Sequence, residues 1–118
     1  MDQEIREGLL QAGVDVDGAI SRLMDNEGLY LRVLKKFKED KTFGMLKDGI
    51  AAGDVSMTFE GAHALKGVAG NLGMLKVFDA VVPIVETARA GSMDGVEEAF
   101  GTLEACYTAV MDVVQKME

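Results

Sequence analysis

Apolar residues in this chain recur every three or four positions, the spacing that lines one side of an α-helix, and nowhere alternate long enough to suggest a strand. Ile5, Leu9 and Leu10 predict a short helix over residues 2 to 12, closed by Gly13. Asp15 or Asp17 is placed to cap a second short helix carrying Ile20, Leu23 and Met24, and Asn26 to cap a third segment. That segment is long. Tyr30, Leu34 and Phe37 keep helical spacing, Leu46 and Ile50 follow, and Gly53 ends it, with a kink expected at Thr42-Phe43-Gly44. Asp54 caps a fourth helix running to about Gly73. A strongly apolar fifth runs from Met74 to Ala90 and stops at Gly91; Pro83 inside it predicts a bend. Ser92 or Asp94 caps the last, where Val96, Phe100, Leu103, Tyr107, Val110 and Val114 repeat at steps of three or four. Four substantial helices with short connections predict an all-α fold. Its form is an antiparallel up-down four-helix bundle with one or two short extra helices at the N-terminus, residues 1–118 making one domain.

Composition narrows the function more than the fold. The net charge of −8 repels nucleic-acid phosphates and anionic lipid, so neither is expected as a partner. The densest cationic group, Lys35, Lys36, Lys38 and Lys41, is interrupted by Glu39 and Asp40 and reads as a solvated helix face. Cys106, the single cysteine, can form no internal disulfide and reads as a buried, inert thiol. Met1-Asp2-Gln3-Glu4 lacks the basic start and apolar run of a signal peptide, and no apolar stretch is long enough to span a bilayer; a cytoplasmic protein is expected. One histidine with scattered carboxylates makes no metal-ligand cluster, and no phosphate-cradling glycine loop or kinase signature occurs. The chain is therefore expected to bind no metal or cofactor and to have no ATP-dependent kinase activity.

One stretch carries candidate chemistry, Phe59-Glu60-Gly61-Ala62-His63-Ala64-Leu65-Lys66-Gly67-Val68-Ala69-Gly70-Asn71-Leu72-Gly73. At 100° per residue, Met57, Gly61, Leu65, Val68 and Leu72 gather on one side, flanked by Ala62, Ala64 and Ala69, and that side is assigned to the interior. His63 points the other way, among Ser56, Phe59, Glu60, Lys66, Gly67, Gly70, Asn71 and Met74. A lone outward histidine is ordinarily nothing but surface; here its neighbours change the reading. A neutral imidazole is a nucleophile, and histidine is commonly neutral near pH 7. Lys66, one turn on, can reach an anion attached to the ring. Gly67 and Gly70 each cost a helix interior about 1 kcal/mol relative to alanine, and on an outward face their expected purpose is clearance for a partner. The alternative is that small residues serve tight helix packing. Phe59, Glu60, Gly70, Asn71 and Met74 are the expected docking residues, an exposed apolar side chain beside polar ones being a mark of such surfaces.

The run Ala62 to Gly73 resembles the AHxLKGxxxxLG signature of the histidine-containing phosphotransfer (HPt) domains of bacterial two-component phosphorelays. Weaker similarity extends to Gly13–Asp17 through Leu34–Phe37, and Val85-Glu86-Thr87-Ala88-Arg89-Ala90-Gly91 resembles the family's LExxxRxG-like helix end. Pro83 departs from what that helix is expected to contain. The resemblance implies a four-helix bundle with the phosphorylated histidine at His63, the phosphate-stabilising lysine at Lys66 and the small residue that permits access at Gly67. It implies a phosphocarrier that exchanges its phosphoryl group with the aspartate of a response-regulator receiver domain, or of a hybrid sensor kinase, with Mg²⁺ held by the receiver. A monomer is expected, and the initial methionine favours a free-standing module. Two other functions are open to the sequence. One is an adaptor of the same shape that docks receivers without being phosphorylated. The other, a helical enzyme or cofactor bundle, needs polar groups converging inside, whereas the inward faces are almost wholly apolar.

Overall fold

The computed structural model describes all residues from Met1 to Glu118. The chain forms seven α-helices: α1 Gln3–Gln11, α2 Val16–Arg22, α3 Glu27–Lys36, α4 Thr42–Ala51, α5 Val55–Leu72, α6 Leu75–Arg89 and α7 Val96–Val114. A single 3-10 turn, Phe37–Glu39, follows α3. The only β pairing is an isolated antiparallel bridge between Val14 and Met74. No helix is long and apolar enough to cross a membrane.

Side-chain oxygens start four of the seven helices, three of them as the sequence predicts and the first, at Asp2, without having been foreseen. The carboxylate of Asp2 accepts from the Glu4 and Ile5 amides, Asp15 from Gly18, and Asp54 from Met57; the Asn26 amide oxygen accepts from Leu29. Each satisfies amides that the first helical turn leaves free. Two starts differ from expectation. Neither Ser92 nor Asp94 caps α7, whose N-cap is Gly95 in the left-handed region; Ser92 Oγ instead accepts from the Asp94 amide and shapes the turn before it. The long third segment is interrupted at Phe37–Lys41, ahead of Thr42-Phe43-Gly44, which lies inside α4. Asp40 makes the break. Its carboxylate accepts from the Thr42 and Phe43 amides and the Thr42 hydroxyl, restarting the helix, and from the Tyr107 hydroxyl at 2.7 Å.

The interrupted α3–α4 segment runs antiparallel to α5: Tyr30 on α3 donates its hydroxyl to the Leu72 carbonyl near one end of α5, while Gly49 on α4 faces Thr58 near the other. Helices α6 and α7 continue the up-down order around a core of 24 buried side chains drawn from all seven helices. The result is the antiparallel bundle expected, with α1 and α2 as the short additions at the N-terminus. Glycine lets α4 and α5 approach closely. A Cβ on Gly61 would lie 2.7 Å from the Leu46 amide nitrogen, and one on Gly49 would lie 2.8 Å from that of Thr58. Phe43 of α4 stacks on Tyr107 and Phe100 of α7, with centroids 4.1 and 5.1 Å apart, closing the bundle on its other side. Helix α6 continues through Pro83, which sits on its exposed side. Cys106 is half-buried rather than enclosed.

Candidate functional site

The candidate site lies midway along α5. Its start is fixed by the Asp54 cap, and its end by Gly73, whose φ of 72° is the left-handed conformation that glycine adopts without strain. A side chain at Gly73 would also strike the Asp15 carbonyl, 2.7 Å from where its Cβ would lie. Between these limits, contact with α4 on one flank and α6 on the other buries Thr58, Gly61, Ala62, Leu65, Ala69 and Leu72. This arc is turned from the sequence-assigned inner face towards Thr58 and Ala62. Met57 and Val68 are therefore only half-buried, and Ala64 is exposed.

His63 stands in solvent, opposite that arc. None of the side-chain hydrogen bonds or ion pairs of the chain involves its imidazole. What it touches is Phe59, one turn earlier: the two rings lie 5.5 Å apart between centroids and only 12° from parallel. Phe59 is half-buried, not the exposed apolar residue the sequence suggested. The Arg89 guanidinium, at the end of α6 beside Val55 and Ser56, lies 5.4 Å from the centre of the Phe59 ring.

Lys66 follows His63 by one turn. Its ammonium lies 5.7 Å from the centre of the Phe78 ring, contributed by α6, and the residue is half-buried. The negative face of the ring attracts the cation, while the long stem keeps the charged head near the surface. Gly67 is exposed, and a Cβ there would meet nothing within 4 Å, so the backbone beside the histidine is open. Gly70 is different. A Cβ there would lie 3.5 Å from the Phe78 ring, and its carbonyl accepts from the Arg22 guanidinium at 3.1 Å. It is half-buried and borders this chain's own α2 and α6, so the backbone there is less open than at Gly67.

Of the remaining docking candidates, Glu60 and Asn71 are exposed on the His63 side. Met74 is not among them. It is completely buried in the core, because the helix ends at Leu72 and the chain turns at Gly73, so extrapolating helical angles past the turn misplaces it. Arg22, Phe78 and Arg89 border the site and were not singled out in the sequence; they come from α2 and α6, and only the fold brings them to α5. No group of three or more His, Cys, Asp or Glu side chains comes together in a way that could hold a metal ion.

The helical bundle thus presents one solvent-facing imidazole, with a lysine one turn away and bare backbone beside it. The profile of the Hpt domain matches residues 33–113, more than half of the chain, and the protein belongs to the Hpt domain family. Histidine phosphotransfer in phosphorelays, as a carrier without kinase activity of its own, is the class of function that membership implies. The matched residues begin within α3 and leave α1 and α2 outside. No curated protein and no solved structure matches the chain.

Proposed function

We propose that His63 accepts a phosphoryl group from the aspartyl phosphate of a receiver domain, belonging to a response regulator or a hybrid sensor kinase, and returns it to another. The observation that carries this reading is the exposed, unbonded imidazole on α5 with open backbone at Gly67, inside residues matched by the Hpt profile. The lone pair of the outer ring nitrogen, Nε2, attacks phosphorus. The N–P bond forms as the acyl O–P bond breaks, the receiver's aspartate leaves as a carboxylate, and Nδ1 keeps its proton. The reverse step restores the neutral ring. The transition state is loose and spreads charge over the equatorial oxygens, so alignment and charge stabilisation are the whole of the catalysis. Lys66 supplies a positive charge from this chain, and the receiver supplies Mg²⁺. Gly67 lets the receiver's loops approach, and Glu60 and Asn71 meet its surface.

The test is incubation with receiver domains phosphorylated by acetyl phosphate in the presence of Mg²⁺. Transfer gives this chain a label that is acid-labile and base-stable, and His63→Gln abolishes it. Receiver binding with no label on the unaltered chain would mean an adaptor and would overturn the proposal.

A further inference from the structure

An imidazole on an exposed helix position turns freely about its side-chain bonds unless something holds it, and transfer in line requires one ring direction. No hydrogen bond within the chain orients His63. The one neighbour that can is Phe59, whose ring is near-parallel to the imidazole at 12° and 5.5 Å, the offset arrangement in which aromatic rings attract. Phe59 is itself restrained. It is half-buried against the core, and the Arg89 guanidinium, reaching over from α6, lies 5.4 Å from its centre. A ring that is packed and capped by a cation makes a fixed platform, whereas an aliphatic side chain of similar volume offers no flat face.

We infer that Phe59 is a positioning residue for the phosphoryl transfer, holding the plane of the His63 imidazole so that its outer nitrogen faces a docked partner. The inference rests on the transfer reading above. It assigns Phe59 a role different from docking: the receiver is held as tightly without the ring, but less of the bound population reacts.

Phe59→Leu and Phe59→Tyr separate these roles. In Phe59→Leu, transfer from an acetyl-phosphate-charged receiver, measured at saturating receiver, is expected to slow about three- to tenfold, the loss matching a stacking contact of ordinary strength, while the receiver Kd stays the same. Phe59→Tyr keeps the flat ring and restores the rate. Direct labelling by phosphoramidate, a small reagent that can approach any ring orientation, falls less than receiver transfer does in Phe59→Leu. In the NMR spectrum the His63 ring protons are shifted by the ring current of Phe59, and that shift vanishes in Phe59→Leu. Saturated rates equal to those of the parent, or a defect wholly in Kd, would overturn the inference. If the unaltered chain takes no phosphate from any receiver, the transfer reading fails instead. The ring-current shift then decides the stack on its own: its absence in the parent spectrum also sinks the positioning role.

Discussion

At the scale of single residues, Lys66 and Gly67 flank His63 on one side of a helix yet differ in what replacing them should do. Lys66 keeps its ammonium over Phe78, on the helical turn that follows His63. Lys66→Ala removes that charge without opening a cavity in the core. Transfer should slow about tenfold or more, the usual range for losing one charge-stabilising group, with the thermal midpoint nearly unchanged. A transfer rate like that of the parent would remove Lys66 from the mechanism. Gly67→Gln tests clearance. Its Cβ has open space, so the folded chain should gain up to about 1 kcal/mol from helix propensity and melt at a higher temperature, while receiver Kd weakens. A variant that is more stable and yet binds and transfers as before would show that no partner comes near this backbone. Much of the site's layout could be read in the sequence, because His63, Lys66 and Gly67 share one helix and helical angles alone relate them. What could not be read depends on other helices: that Phe78 of α6 lies beside Gly70, that Arg89 covers Phe59, and that the turn at Gly73 sends Met74 inward.

At the scale of the elements, local signals located the ends and packing decided the middles. Capping side chains and left-handed glycines act within a few residues, so Asp15, Asn26, Asp54, Gly13, Gly53, Gly73 and Gly91 mark boundaries correctly. The interruption at Phe37–Lys41 is less visible, because Asp40 there answers both to α4, which it caps, and to Tyr107, distant in sequence. Burial of Thr58 is a second packing effect. It lies at the α4–α5 crossing against Gly49, and its Oγ1 has no hydrogen-bond partner. A buried hydroxyl left unpaired costs free energy that a methyl group of the same shape does not. Thr58→Val is therefore expected to stabilise the protein by about 1 kcal/mol in urea titration, without altering phosphoryl transfer. Destabilisation by a similar amount would mean that the hydroxyl finds a partner in solution.

Over the whole molecule, two tyrosines tie together helices that are far apart in the chain. Tyr30 fastens α3 to the Leu72 carbonyl at the end of α5, and Tyr107 fastens α7 to the Asp40 carboxylate that starts α4. The donor is a protonated phenol in both cases, so each of these ties lasts only while its proton stays. Burial, outweighing a small opposing effect of Arg22, pushes Tyr30 up to about 12. Burial and the adjacent Asp40 carboxylate push Tyr107 up as well. An unfolded chain releases tyrosine protons near pH 10. Below that value both states are protonated and these groups leave stability independent of pH. Above it the unfolded state binds fewer protons than the folded one, so stability falls as pH rises, for Tyr30 across the window from 10 to about 12. Lysines also titrate in this range, which makes the comparison of variants the decisive measurement. Tyr30→Phe should cost about 1 kcal/mol near pH 8 through the lost hydrogen bond, yet lose stability less steeply than the parent between pH 10 and 12. If urea titrations of the two proteins instead run parallel through that window, the Tyr30 proton is not what links the end of α5 to the rest of the bundle at high pH.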